Sequence, residues 1–219
     1  MIGMIKMATT IIREPKQKRS IEKKKRIMET GMDLISKNGY HNTTTADIAK
    51  AAHVSTGIVY SYFKDKKDIL LYGLEVFFIK IQDPIYDFFK PLHNNSVQFK
   101  NTSDFTHNLG ILIDSFVTRH LQFKELHQEL VALASTDSDI AEIVRKFENV
   151  LILKLTELCL EEGITSPHLI EKIHIMYNMV ESYCHELIYN KNDALDYDAV
   201  KQETIRCFYF FLFGDPYDS

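Results

Sequence analysis

Residues 41–63 read HNTTTADIAKAAHVSTGIVYSYF, and this stretch decides the fold of the N-terminal third of the chain. Thr44 and Asp47 have the spacing of a capping box, in which two side chains satisfy the first free backbone N–H groups of a helix. The pattern therefore predicts a helix of two turns over 45–52, with its small and aliphatic residues directed inward.

A second short helix is predicted directly after the first. His53–Val54 makes a tight connection, and Ser55 is a residue type that commonly caps a helix N-terminus. The next helix is predicted over 56–63, before the charged turn KDKKD. Two short helices joined by a turn of three or four residues are the sequence form of a helix-turn-helix.

Helical periodicity continues on both sides of this pair. A first helix is predicted from Ser20 to the stop at Asn38–Gly39, and a long helix runs from Asp68 until Asp83–Pro84 ends or kinks it. No alternating strand pattern competes with the helical one. The predicted fold class is all-α with about nine helices, the remaining ones lying over 85–92, 104–123, 126–134, 139–162, 167–190 and 197–213.

Composition excludes several classes of protein. The 219 residues are 45% hydrophobic and 26% charged, values typical of a globular chain and unlike a disordered or fibrous one. No apolar run approaches the length of a membrane span, and the start has no secretory pattern because Lys6 interrupts it. We therefore expect a cytoplasmic protein without a membrane partner. Its three cysteines lie in apolar helical patterns, which favours reduced, buried thiols.

The charge is unevenly distributed along the chain. Residues 1–80 hold 15 Lys and Arg against 8 Asp and Glu, whereas residues 81–219 hold 11 against 22, so a net +7 precedes a net −11. A basic segment joined to an acidic one suggests a surface for a polyanion, although a charged stretch is often only solvated.

Residues 26–77 resemble the N-terminal domain of the TetR-type transcriptional repressors. The similar positions keep the family's order and spacing, whereas the remaining part of the chain is similar only in being helical. The positions that carry the resemblance are Gly39, Tyr40, Thr43, Thr44, Ile48, Ala49, Ala52, Val54, Ser55, Gly57, Tyr60, Tyr62, Phe63, Lys66, Lys67 and Leu70.

The resemblance implies an organisation and a set of DNA contacts. Residues 1–19 show no sustained period, contain Pro15 and end in the basic run KQKR, so we expect a flexible arm there. The resemblance implies a DNA-binding domain over 20–67 and a ligand-binding and dimerisation domain over 68–219. Base edges would meet the N-terminal part of the second short helix, and hydroxyls and lysines would meet phosphates. For Tyr60 and Tyr62 the alternative is that one of them packs on the core face with Phe63. The expected DNA-binding residues are Thr44, Thr45, Ser55, Thr56, Gly57, Ile58, Tyr60, Ser61, Tyr62 and Lys66.

Two positions depart from the family pattern. His53 stands where the family often has glycine, so the turn must tolerate a side chain, which His does better than a β-branched residue. Thr56 stands where Lys or Arg is frequent. The operator is therefore expected to depend less on a guanine at the base pair that Thr56 faces.

The resemblance also implies a homodimer built from the last two helices. Apolar stripes there serve either an internal core or an interface; the expected interface residues are Ile173, Met176, Val180, Cys184, Leu187, Ile205, Phe208 and Leu212. The middle helices combine aromatic and polar residues, as small-molecule sites do. The candidate residues for a hydrophobic or aromatic inducer are Phe88, Phe89, Phe116, Arg119, His120, Phe123, Tyr177 and Glu181.

The sequence favours a ligand-responsive DNA-binding repressor over two rivals. No nucleophile elbow, phosphate-binding loop or zinc-protease motif occurs, so no enzymatic activity and no cofactor are predicted. His120, His127 and Glu125 lack convergent spacing, so no metal site is predicted. The alternative function is a helical ligand-binding or protein-interaction module whose N-terminal domain no longer reads DNA.

Overall fold

A computed structural model describes residues 18–81 and 102–214. In these ranges the chain is all-α, as predicted, and contains no strand. The predicted arm up to residue 17, the predicted helix over 85–92 and the candidate ligand residues Phe88 and Phe89 lie outside the described residues. The helices are α1 (Lys18–Asn38), α2 (Thr45–Ala51), α3 (Thr56–Tyr60), α4 (Lys66–Ile81), α5 (Thr102–Gln122), α6 (Lys124–Ala134), α7 (Ser138–Glu161), α8 (Leu169–Tyr189) and α9 (Tyr197–Phe213).

Most boundaries agree with the prediction to within two residues, and two of them show why a pattern can mislead. The helix α3 ends at Tyr60 rather than at residue 63. Tyr62 and Phe63 instead follow the helix and are buried in the core. The predicted start of α8 at Pro167 lies two residues too early, because His168 has a left-handed backbone with φ of 58°.

The described residues form two compact units. The first contains 18–81 together with 125–145, and the second contains 102–124 together with 146–214. The sequence-based division at residue 67 differs from this one, since α4 packs along α1 and stays with the N-terminal helices.

The first unit has a core to which α1, α2, α3 and α4 all contribute. Gly31 lets α1 approach α4 closely, because a Cβ at this position would lie 2.6 Å from Cγ2 of Ile69. The core holds the two short helices in a fixed arrangement. Its buried residues are Ile27, Met28, Ile48, Ala49, Ala52, Val59, Tyr62, Phe63 and Ile69.

The helix α6 and the start of α7 belong to the same first unit. Glu129 of α6 accepts a hydrogen bond from the backbone N–H of Tyr40. Lys67, at the start of α4, forms ion pairs with Asp137 and Asp139, each with a shortest N–O distance of 2.7 Å. These contacts hold the α1–α2 turn and the first turn of α4 against the α6–α7 segment.

The second unit is built around α5, α8 and α9, which pack against one another in all three pairings. The described helices include none with the length and hydrophobicity of a membrane span. Cys159 and Cys184 are buried free thiols, as predicted, whereas Cys207 is exposed on α9. The pattern at Cys207 is misleading because this residue lies beside, not on, the buried stripe of that helix.

Candidate nucleic-acid interface and ligand cavity

The capping box predicted for α2 is present. The Thr44 hydroxyl oxygen accepts a hydrogen bond from the backbone N–H of Asp47 at 3.1 Å, and the Asp47 carboxylate accepts one from the backbone N–H of Thr44 at 3.0 Å. The side-chain and backbone hydrogen bonds from Thr44 lower the pKa of Asp47. This cap fixes the residue at which α2 begins.

The turn between α2 and α3 closes with two backbone hydrogen bonds. The His53 N–H donates to the Lys50 carbonyl at 3.2 Å, and the Val54 N–H donates to the Ala49 carbonyl at 3.0 Å. This is a Schellman motif, which requires a left-handed residue just past the helix end. His53 supplies it with φ of 52°, which confirms that this turn must accommodate a side chain.

The short helix α3 presents a polar outer edge. Ser55 caps it by accepting a hydrogen bond from the Ile58 N–H at 3.3 Å. Thr56, Gly57 and Ser61 are exposed, and Tyr60 has 49% of its surface in solvent. Hydroxyls of this kind can both donate and accept hydrogen bonds at base edges.

The inner side of α3 anchors the helix to the core. Val59 is fully buried, and Ile58 packs partly against the same cluster. Ile58 therefore offers only part of its side chain to a thymine methyl group. Thr45 is half-buried in the first turn of α2, and the Thr44 hydroxyl already donates to Asp47.

Two residues expected to contact phosphate have structural partners instead. Tyr62 is only 7% exposed, and its hydroxyl forms a 2.7 Å hydrogen bond with Ser20. The Lys66 ammonium donates to the carbonyls of Tyr40 and Thr43 at 2.5 and 2.9 Å. Tyr62 thus packs on the core side of the turn, the alternative that the sequence leaves open for it, and Lys66 satisfies carbonyls in the α1–α2 turn.

The basic residues at the start of α1 differ in their exposure to solvent. Lys24 is buried, with its ammonium 4.0 Å from the centroid of the Tyr72 ring, a cation–π arrangement. Lys18, Arg19, Lys25 and Arg26 are exposed. The exposed members give the start of α1 a basic surface, on which Lys25 also pairs with Glu29 at 3.6 Å.

An apolar cavity of about 80 Å³ lies within the second unit. Two of the candidate ligand residues, Phe116 and Tyr177, line it. Arg119, His120, Phe123 and Glu181 do not. Most of the wall comes from apolar positions whose residue types and spacing are those of ordinary helical core, namely Phe105, Leu109, Leu112, Ile113, Leu155, Cys159, Ile164, Ile173, Met176, Val180, Phe208 and Leu212.

Seven of the eight expected interface residues are buried within the single chain. Ile173, Met176, Val180, Phe208 and Leu212 line the cavity. Cys184 and Ile205 are buried as well, and Leu187 alone is half-buried. The apolar stripes that suggest an interface in the sequence serve the chain's own interior.

A polar cluster lies next to the cavity in the second unit. Nε2 of His120 is 3.3 Å from a carboxylate oxygen of Glu181, and Nε2 of His185 is 3.8 Å from the same oxygen. Burial lowers the pKa of His120, but its hydrogen bonds with Cys184 and Glu181 outweigh this effect and raise the pKa overall. Burial lowers the pKa of His185. Glu181 and His185 are one turn apart on α8, a signal that the sequence contains.

Comparison with known proteins identifies the N-terminal region. The sequence model of the family described as "Bacterial regulatory proteins, tetR family" matches residues 27–72. This region of the chain is therefore similar to the N-terminal domain of TetR-family regulators. The match includes most of α1, the whole helix-turn-helix and the start of α4, so the exposed edge of α3 lies within the matched segment.

Curated relatives are similar over the same kind of short stretch. The chain is 44% identical over 54 residues to the HTH-type transcriptional regulator HbdR of Aromatoleum sp. (strain CIB), and 45% identical over 56 residues to the fatty acid metabolism regulator protein of Bacillus subtilis. These alignments cover 25% and 26% of this chain and only 24% and 28% of the two relatives.

A solved structure shares the fold over most of the chain. It is Thermus thermophilus FadR, a TetR-family transcriptional repressor in complex with lauroyl-CoA. The comparison covers 90% of this chain and 98% of that one, with a TM-score of 0.59 and 19% sequence identity. The chain therefore shares the helical fold of that structure over this length.

Proposed function

We propose that this chain is a transcriptional repressor that binds a pseudo-palindromic DNA operator as a homodimer and is released by a hydrophobic small molecule. The observation that carries the proposal is the outer edge of α3. There Thr56, Gly57, Tyr60 and Ser61 face solvent while Val59 anchors the helix in the core. A recognition helix needs both a fixed attachment to the core and short polar groups on its exposed side.

The residues proposed to read DNA fall into two groups. Thr56 and Ser61 are proposed to contact base edges, with Gly57 permitting a close approach of the backbone. Tyr60, Thr45 and the exposed basic residues at the start of α1 are proposed to contact phosphates, which set position rather than sequence. Tyr62 and Lys66 are proposed to position these groups through their contacts within the unit.

The homodimer is proposed to form through the solvent-facing sides of α8 and α9. Both helices keep large apolar side chains in solvent, with Ile170 at 40%, Ile175 at 48% and Phe210 at 51% exposure. A dimer with two-fold symmetry would place two α3 helices on matching half-sites. This surface replaces the buried set expected from the sequence.

The ligand is proposed to carry an extended hydrocarbon chain. The side chains of the cavity wall are hydrocarbon except for the Tyr177 hydroxyl and the sulfur atoms of Cys159 and Met176. Two comparisons support the same class, since one relative is named for fatty acid metabolism and one structure was solved with lauroyl-CoA. A cavity of about 80 Å³ is smaller than ligand pockets of about 300 Å³ or more. Ligand binding would therefore enlarge it.

The helix α7 is proposed to transmit the effect of ligand binding to the DNA-binding unit. Asp139, in its first turn, pairs with Lys67 of the DNA-binding unit, and Leu155 and Cys159 farther along line the cavity. Enlarging the cavity would shift α7 and change the pairing at Lys67. A ligand releases DNA only if it binds the shifted arrangement more tightly than the original one.

The experiment has two steps. The purified full chain first selects duplexes from a random library, and small molecules are then tested for their ability to release the selected duplex. We expect a palindromic site, and we expect lauroyl-CoA, but not coenzyme A, to lower its affinity. Val180→Phe, which fills the cavity, should keep DNA binding and lose the response, while Ile111→Phe at an exposed position of α5 should keep both. No enriched site at any salt concentration would favour the helical module that does not read DNA.

A further inference from the structure

We propose that His120, Glu181 and His185 form a binding site for a divalent transition-metal ion of the zinc type. The ligand atoms of these three side chains lie within 4.8 Å of one another. They come from two helices of one unit, α5 and α8. The inference does not depend on the proposed repressor function, because it concerns the geometry of three side chains only.

The separations fit a metal better than a direct ion pair. Charge-assisted N–H···O hydrogen bonds are usually about 2.7–2.9 Å long. Here the two imidazole Nε2 atoms lie 3.3 and 3.8 Å from one Glu181 oxygen. Zinc bonds of about 2.0–2.2 Å in tetrahedral geometry place neighbouring ligand atoms about 3.3–3.5 Å apart. A small inward movement of His185 would complete the arrangement.

The orientation of His120 is that of a metal ligand. Its Nδ1 lies 2.9 Å from the carbonyl oxygen of Phe116, one turn earlier on α5. A hydrogen bond from Nδ1–H to a carbonyl fixes the ring, so a metal ion that displaces the proton on Nε2 would find the lone pair of that nitrogen directed toward Glu181. Metal-bound histidines in proteins commonly have such a partner on the second nitrogen.

The chemical types of the three ligands indicate the class of metal that the site prefers. Two imidazoles and one carboxylate suit zinc and neighbouring first-row ions, whereas calcium and magnesium prefer all-oxygen sites. His120 is 8% exposed, and the Glu181 and His185 side chains are 22% and 35% exposed. The site is therefore partly buried and can be reached from solvent on the α8 side.

The site would couple the metal to the cavity. Phe116 and Tyr177, which line the cavity, lie one turn before His120 and Glu181 respectively. Tyr177 also hydrogen-bonds Glu181, and burial is the largest cause of its raised pKa. A bound ion would fix α5 to α8 at this end of the cavity.

The test is zinc binding by the purified full chain after removal of metal with a chelator. Isothermal titration should give one saturable Zn²⁺ per chain, and Co²⁺ should give the visible absorption of a four-coordinate site. Glu181→Gln and His185→Ala should each weaken binding at least ten-fold. His174→Ala, an exposed histidine on the same helix, should leave it unchanged.

A stability measurement guards against misfolded variants. Zinc should raise the thermal midpoint of the wild-type chain and of His174→Ala, because a ligand that binds only the folded state stabilises it. It should not raise that of His185→Ala, whose side chain is exposed enough to be removed without disturbing the core. The proposal is overturned if no stoichiometric binding occurs, or if Glu181→Gln and His185→Ala bind zinc as tightly as the wild-type chain.

Discussion

His53 has an unfavourable backbone conformation that the turn between α2 and α3 requires. Its φ of 52° closes the Schellman motif that sets the angle between α2 and α3. A left-handed residue with a side chain costs about 1–2 kcal/mol relative to the right-handed conformation. The sequence predicts that this turn accommodates a side chain because a residue other than glycine stands there.

Replacing His53 should therefore change stability in a direction set by the new residue. His53→Gly should raise the free energy of unfolding by about 1 kcal/mol, since glycine adopts this φ without a Cβ clash. His53→Val should lower it, because β-branched residues tolerate this region least. Urea denaturation measures both. Equal stabilities of the glycine and valine variants would contradict the structural account of the turn.

Sequence patterns locate the helices but not every role along them. Period and capping signals are local, so the capping box at Thr44 and the bounds of α9 follow directly from the residues. Partners distant in sequence carry no local signal. For this reason the family resemblance implies a phosphate contact for Lys66, and no local pattern reveals that its ammonium binds the carbonyls of Tyr40 and Thr43.

The crossing of α1 and α4 makes a prediction for glycine substitutions. Gly31→Ala should cost about 1–3 kcal/mol of stability, because the new methyl group would lie 2.6 Å from Ile69 Cγ2. Gly57→Ala is the matched control in α3, where only the Ser55 hydroxyl lies near, at 4.0 Å. It should keep normal stability and weaken DNA binding. Thermal unfolding and operator affinity separate the two effects, and a Gly31→Ala variant as stable as the wild-type chain would contradict the packing described.

The ion pairs between α4 and the α6–α7 segment predict a contribution to the free energy of unfolding that depends on pH. The hydrogen bond from Lys67 is the largest cause that lowers the pKa of Asp137, and Asp137 in turn raises the pKa of Lys67. A lowered carboxyl pKa stabilises the fold above the unfolded value of about 4 and ceases to do so as pH falls through the folded value.

Lys67→Met should therefore reduce stability by up to about 1 kcal/mol at pH 7, the size usual for partly exposed pairs. The difference from the wild-type chain should begin to shrink below about pH 4 and disappear as the pH falls through the lowered pKa of Asp137 in the folded wild-type chain. Denaturation curves at several pH values measure it. A difference that stays constant from neutral pH down to strongly acidic pH would show that the ion pair is not its source.

At the scale of the molecule, the sequence predicts more of the structure of the first unit than of the second. The helix-turn-helix depends on turns, caps and small residues, which are readable one by one. The cavity and the core of the second unit use the same aliphatic residue types, so buried stripes such as that of Ile173 and Val180 could equally have been an interface. Only packing within a single chain distinguishes these possibilities.

The measurement that tests the central claim most directly is operator discrimination by the full chain and by Thr56→Ala. Affinities are compared for the selected duplex and for duplexes with single base-pair changes. Loss of the Thr56 hydroxyl should cost about 1 kcal/mol at one base pair in each half-site and leave other positions unchanged. A uniform loss across all duplexes, or none, would contradict the claim that the exposed edge of α3 reads sequence.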